Sequence, residues 1–341
     1  MKATGVAQLL PSNACKNLII GIDEAGYGHN LWPLLIGASA WRVPRHMSDT
    51  QLTGLLNGTF RPAAWSQNCQ HVPLGDSKKL YHSGGGLSTL EAGLLAMLWL
   101  LGRTPGNVEQ LLLQVAPPKS RGIDLSSQAA TPWYDDLDRL PVPSKRALSD
   151  AEIDRLCQLA RGALHEHDIE LIDVSAQVIT ESHFNHQVAR WGSKGLVLSQ
   201  QSLVLAEQTM SIHPPEATEI YCDRQGGRKN YLPLLLQWKP DAWFSETAAS
   251  NHRCSYHATS APLEIHFTVG GDTFPPTALA SMVAKYLRER LMESFNLFWQ
   301  QHLPDLKPTA GYPVDAVRFR DQIQQEAIRQ SLPAECWWRC R

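Results

Sequence analysis

The chain has 341 residues, 43% of them apolar and 19% charged, with 31 Lys and Arg against 33 Asp and Glu for a net charge of -2. That balance excludes an intrinsically disordered chain and a surface basic throughout, while leaving room for a local basic groove. The length bounds one large domain or two small ones and is ample for a buried core.

The opening stretch, MKATGVAQLLPSNACKN, has no apolar run of signal-peptide length, and the most apolar later stretch, Leu94 to Leu101, is too short to span a bilayer. Cys15, Cys69, Cys157, Cys222, Cys254, Cys336 and Cys340 are scattered without zinc-ligand spacing, as expected of reduced thiols in a cytoplasmic protein. Neither a membrane partner nor an organic cofactor is expected.

Residues 17–23 and 33–43 are apolar runs on either side of the turn Ala25-Gly26-Tyr27-Gly28, and they predict an antiparallel strand pair. Two acids, Asp23 and Glu24, close the first run. "VPLGDSKKL" reads as loop. From Ser88, apolar residues recur at helical spacing (Leu90, Leu94, Leu95, Leu98), with Ser88 and Glu91 spaced as a capping box. Residues 102–148 are rich in Pro, Gly and Ser and read as an irregular insertion with a short strand at Leu111–Val115. Ser149 and Glu152 again have capping-box spacing and open a predicted helix. "IELIDVSAQVIT" predicts a third strand, and Glu181 to Met210 one long amphipathic helix. "EIYCD" (219–223) and "LEIHFTVGGD" (263–272) predict strands ending in Asp. "PPTALASMVAKYLRERLMESFNLFWQQH" predicts a long helix with two prolines in its first turn. No internal repeat is visible. The expected fold class is α/β: one mixed sheet with helices on its faces.

Three strand ends thus deliver carboxylates: Asp23 with Glu24, then Asp223, then Asp272. In open α/β sheets functional groups collect where strands end. If these strands are neighbours, four acids converge, and close like charges repel unless cations lie between them. Hard oxygen donors of this kind suit magnesium or manganese. The plain alternative is that each Asp serves a turn or a helix N-cap. Asp23-Glu24 fits that alternative least, because Glu is depleted in strands.

At these residues the chain resembles the type 2 ribonuclease H family. "GIDEAGYG" resembles its N-terminal signature, and "GDSKKL" (75–80) its Asp-Ser-Lys-x-Leu loop. "YCD" (221–223) resembles the strand ending in its third acid. "GGDTFPPTALASMVAKYLRERLM" (270–292) resembles the block with the fourth acid and a helix, and "GYPVDAVRF" (311–319) a late Gly-Tyr segment. "ESHFNHQVARWGSKGLVLSQ" is a vaguer match to the helix before the third acid. Several patches in the right order are far more specific than any one. The match covers about half the chain.

The resemblance implies a ribonuclease H-like fold: a single domain over 1–341, with an insertion at about 100–167 and a C-terminal helical extension at about 293–341. Residues 230–260 also read as inserted. It implies a two-metal endonuclease that cuts the RNA strand of RNA–DNA hybrids, or DNA containing ribonucleotides, with Mg2+ or Mn2+. Asp23, Glu24, Asp223 and Asp272 would be catalytic metal ligands. Gly26, Tyr27 and Gly28 would hold the junction nucleotide through backbone groups. Ser77, Lys78, Ser281, Lys285 and Arg288 would face phosphate or the site, and Tyr312 would stack beneath the ribonucleotide and sense its 2′-hydroxyl.

The residues themselves support part of this. Ser281, Lys285 and Arg288 lie at i, i+4 and i+7 and share one helix face, which alternatively is an ordinary solvated stripe. Arg224, Arg228 and Lys229 cluster in "DRQGGRKNY", either as a phosphate-gripping loop or as a solvated turn.

The chain also departs from the pattern. Tyr27 stands where the family has Arg, and His29-Asn30-Leu31-Trp32 follow where a Gly- and Pro-rich turn is expected. Glu289 replaces Asp, and Val314 replaces Thr. These changes bear on cleavage at a single embedded ribonucleotide. Two alternatives therefore stand: a nuclease of the same fold with another nucleic-acid substrate, and a catalytically silent binder of nucleic acid or of a protein partner. The second would use the insertion, with Trp133, Tyr134 and the acids of "DDLD".

Overall fold

The computed structural model describes residues 16–45, 47–81, 87–117, 131–144, 148–213 and 217–340. Its strands are β1 (Lys16–Ala25), β2 (Leu34–Pro44), β3 (Phe60–Arg61), β4 (Val72–Pro73), β5 (Glu170–Ile179), β6 (Thr218–Asp223), β7 (Phe244–Ala249), β8 (Arg253–Ala258) and β9 (Leu263–Thr268). Its α-helices are α1 (Asp49–Leu56), α2 (Ser77–Leu80), α3 (Ser88–Leu100), α4 (Val108–Val115), α5 (Asp150–Glu166), α6 (Glu181–Trp191), α7 (Lys194–Ile212), α8 (Leu232–Trp238), α9 (Pro275–His302) and α10 (Pro313–Arg329). None of these helices is long and apolar enough to cross a membrane.

Seven strands form one sheet in the order β5-β2-β1-β6-β9-β8-β7. β1 pairs antiparallel with β2 and parallel with β6, and β6 pairs parallel with β9. The sheet is therefore mixed, and helices cover both faces, as the strand–helix alternation predicts. Side chains alternate across it. Leu18, Ile20 and Ile22 enter the core shared with α6, α7 and α8, while Ile19 enters the core shared with α3 and α9. Gly21 and Asp23 follow Ile19 on the α9 side. Glycine is required there. A Cβ on Gly21 would stand 2.1 Å from the Pro276 carbonyl carbon, and one on Gly37 2.1 Å from the Ala280 carbonyl oxygen. The bare backbone lets α9 lie directly on β1 and β2.

Several local expectations are corrected. Residues 108–115 form a helix, capped by the Asn107 side chain, and the predicted strand at 111–115 does not exist. The long helix predicted over 181–210 is broken at Gly192 (φ 79°), after which Ser193 caps α7. Ser88 is not an N-cap: the helix starts from Leu87 without a side-chain cap. Glu91 instead accepts hydrogen bonds from the Tyr286 hydroxyl at 2.5 Å and the Ser144 amide at 2.6 Å, deep in the core. Ser149 does cap α5, but Glu152 pairs with Arg155. Residues 244–258 supply two strands of the main sheet, β7 and β8. Trp133 and Tyr134 are no docking surface, being 1% and 3% exposed, with Trp133 packed on Phe295. Part of the insertion, residues 118–130, lies outside the described residues.

Candidate active site

The last paired residues of β1 and β6 are Ile22 and Cys222, so Asp23 and Asp223 emerge side by side at the carboxyl ends of parallel strands. β9 ends at Thr268, opposite Asp223. The chain then turns through Gly270 (φ 66°) into a short 3-10 turn, Gly271–Thr273, that carries Asp272 to the start of α9. The predicted strand over 263–272 is thus shorter, and a turn presents its acid. The Gly271 amide donates to Asp223 Oδ1 at 2.8 Å and locks the two segments together.

The electrostatics show that these acids share one space. Burial, then Glu24 and Asp223, push the Asp23 carboxyl well above its ordinary range, against the hydrogen bond from Ser281. Burial and Asp223 raise Glu24 to about 7, with Lys78 opposing. Burial raises Asp223, and the Gly271 and Arg224 amides and Lys78 oppose it. Burial, Asp76 and Asp223 raise Asp272 to about 6, and Lys78 again opposes. Lys78 is therefore the exposed cation common to three of the four acids. Ser77 and Ser281, each 4% exposed, are joined hydroxyl to hydroxyl at 2.9 Å.

Asp76 is the acid that sequence reasoning passed over. Its charge helps raise the Asp272 carboxyl, and it caps α2 by accepting from the Lys78 amide at 2.9 Å. The signal was present, since Asp76 lies within "GDSKKL", but an Asp before a short helix reads as a cap.

Among the described residues, no three His, Cys, Asp or Glu side chains are drawn in closely enough to enclose an ion. The donor set nonetheless fits a hard divalent cation. It consists of carboxylates whose mutual repulsion and burial raise their proton affinity, a strain that a cation relieves.

The cationic face of α9 is not a solvated stripe. Lys285 and Arg288 both bond Glu289 Oε1, at 2.6 and 2.9 Å. Arg288 also donates to Ala310 O and bonds His29 Nε2, each at 3.1 Å, and is 3% exposed. Arg224 spends its donors on Asn251 O, Ser250 O and Cys254 Sγ. Ser281 therefore lies beside the acids, whereas Arg288 and Arg224 brace the surrounding backbone and Lys285 is held by Glu289 and the Tyr81 ring.

Gly26 sits at φ 93°. The Tyr27 ring lies 5.0 Å below Lys194 Nζ. Its hydroxyl lies in the narrow space between Gly195 and Gly226, whose added Cβ atoms would come within 3.4 and 3.1 Å of it. Gly28 is open, and a Cβ added there would meet nothing within 4 Å. Tyr312 is 58% exposed at the start of α10, its ring centroid 4.9 Å from that of His29.

No protein-family model and no curated protein matches the chain. Solved structures do. The ribonuclease HII of Archaeoglobus fulgidus, from its complex with PCNA, is 14% identical, with 95% of this chain and 94% of that one covered at a TM-score of 0.40. Ribonuclease H2 from Pyrococcus horikoshii OT3 is 12% identical, with coverage of 94% and 92% and a TM-score of 0.40. Bst-RNase HIII in complex with Mn2+ is 14% identical, with coverage of 98% and 72% and a TM-score of 0.37. At such low TM-scores, what the site does rests on its own residues.

Proposed function

We propose that the chain is a metal-dependent endonuclease of the ribonuclease H type, cutting the RNA strand of RNA–DNA hybrids in the cytoplasm. The observation that carries this reading is the convergence of Asp23, Glu24, Asp223 and Asp272 in one space, with their carboxyl pKa values raised by burial and mutual charge. Four clustered acids without cations would repel a phosphodiester, which makes a metal-free binder a poor fit.

These four carboxylates would hold Mg2+ or Mn2+, which when bound supplies activation of the attacking water and charge neutralisation at phosphorus. The protein's own groups do the rest. Ser281 favours the charged form of Asp23. Lys78 offers an exposed ammonium beside the acids, placed to meet a phosphate oxygen. The open turn at Gly28 admits close backbone approach. Tyr312 presents an exposed ring for a sugar or base, and the 2′-hydroxyl is the group that separates RNA from DNA.

One observation favours a second substrate reading. Position 27 carries a phenol held between glycines where the resemblance calls for arginine, so continuous RNA tracts are the preferred substrate over a single embedded ribonucleotide. The test is cleavage of an end-labelled hybrid with Mg2+ or Mn2+, with Asp23→Asn as control and DNA holding one ribonucleotide in parallel. RNA left intact by the wild-type protein refutes the hydrolase.

A further inference from the structure

We infer that Arg339 is a positioning residue for the Gly26-Tyr27-Gly28 turn, so that the C-terminal segment completes the candidate active site; this rests on the hydrolase reading above. Residues 334–340 form a strap across α6. Asn185 of α6 donates to the carbonyls of Glu335 (3.2 Å) and Trp338 (2.8 Å) and accepts from the Cys340 amide (2.7 Å). Arg320 of α10 lies over the Trp338 ring at 5.0 Å. The Arg339 amide donates to Asn30 O at 2.7 Å, and Asn30 Nδ2 returns a bond to Arg339 O at 3.3 Å.

The Arg339 side chain is 1% exposed and lies over the Phe184 ring at 3.9 Å. Nη1 donates to Gly26 O at 2.7 Å and Nη2 to Tyr27 O at 3.4 Å. No carboxylate lies within ion-pair distance of it among the described residues; the buried Glu181 acts on it only through space. Backbone carbonyls are therefore its direct partners, in charge-assisted bonds stronger than neutral ones.

Peptide geometry gives this clamp a consequence. In a planar trans peptide the N–H points opposite to the C=O. With the Gly26 and Tyr27 carbonyls both drawn onto Arg339, the Tyr27 and Gly28 amides face the other side of the turn. Neither amide donates to a protein acceptor among the described residues. Successive free amides of this kind form a concavity for an anionic oxygen. The turn begins two residues after Glu24, so that oxygen belongs to the sugar–phosphate backbone of the bound strand.

The test compares full-length Arg339→Ala and Arg339→Lys with Cys340→Ser at the exposed neighbour. Amide hydrogen exchange reads the clamp without any reference to activity. Exchange at His29, whose amide donates to Gly26 O, rises selectively in Arg339→Ala, rises less in Arg339→Lys and is unchanged in Cys340→Ser. On a hybrid substrate with Mn2+, KM rises about tenfold in Arg339→Ala while kcat holds within about threefold, and millimolar guanidinium restores KM, as loss of a charged donor predicts. A folded Arg339→Ala with wild-type exchange and wild-type KM overturns the inference, and so does exchange that rises uniformly along the chain. If Arg339→Ala does not fold, Arg339→Lys decides by the same two readouts. A wild-type protein that cleaves no hybrid removes the hydrolase reading, while exchange at the turn still decides the clamp.

Discussion

Ser77 and Ser281, 204 positions apart in the chain, meet hydroxyl to hydroxyl at 2.9 Å, and the Ser281 hydroxyl favours the charged form of the Asp23 carboxyl. This short relay ties α2 and α9 to the end of β1. Removing the Ser281 hydroxyl takes away a donor that favours charged Asp23, so the Asp23 pKa climbs further. The acidic limb of the pH–rate profile of Ser281→Ala then moves to higher pH. Its kcat/KM falls roughly tenfold, the scale of one hydrogen bond to a charged group. Ser77→Ala reaches Asp23 only through Ser281 and loses less. Equal losses in the two variants, or a limb that moves to lower pH, refute the relay.

The same acids make the metal-free fold pH-sensitive. Glu24 is raised from 4.5 to about 7 and Asp272 from 3.8 to about 6. A carboxyl whose folded pKa exceeds its unfolded value adds stability below the unfolded value and loses it as pH rises through the folded one. In chelator, the Tm of the wild type therefore falls relative to that of Glu24→Gln/Asp272→Asn between about pH 4 and pH 7. Mn2+ reverses the loss at pH 7 and above, by about 2.7 kcal/mol at a hundred times its Kd. A Tm difference that stays flat across this range shows that the acids do not share charge.

Much of this was legible in the sequence, for identifiable reasons. β1, β2, β6 and α9 were found because their apolar runs are long and their ends are punctuated by Gly, Asp or Pro. Asp23, Glu24, Asp223 and Asp272 followed from those ends. The errors arose where a local rule met a tertiary demand. Glu91 has capping-box spacing from Ser88 but bonds Tyr286, which no local pattern announces. The break at Gly192 was available as a glycine inside an otherwise helical pattern. Lys285 and Arg288 looked like a charged face because Glu289, the partner that permits their burial, stood out in the sequence only as a replacement for the expected Asp.

Glu289 itself gives a sharp stability test. Its carboxylate holds both Lys285 and Arg288, and their side chains are 12% and 4% exposed beside its own 8%. Breaking a buried pair strands a charge, at a cost of about 3–5 kcal/mol. Glu289→Gln loses about that much in urea unfolding, with some offset from its remaining carbonyl. Lys285→Met loses less, since Arg288 still satisfies Glu289. A Glu289→Gln variant as stable as wild type shows that the three groups are solvated in solution.

Under the proposed function, Tyr312 separates stacking from hydrogen bonding. Its ring is 58% exposed yet rests beside His29, which burial and neighbouring Arg288 hold down to a pKa of about 3. The imidazole is therefore held in its neutral form and adds no charge beside the ring. Tyr312→Phe keeps the ring, and its affinity for the hybrid stays within about threefold while the preference for RNA over DNA narrows, because the 2′-hydroxyl loses its partner. Tyr312→Ala loses the ring, and Kd for the hybrid rises roughly tenfold, the lower end of the measured worth of one base–aromatic stack. Fluorescence anisotropy with a non-cleavable Asp23→Asn background measures both. If Tyr312→Ala binds hybrid as tightly as the parent, the exposed ring plays no part in binding and the nucleic-acid path must cross the protein elsewhere.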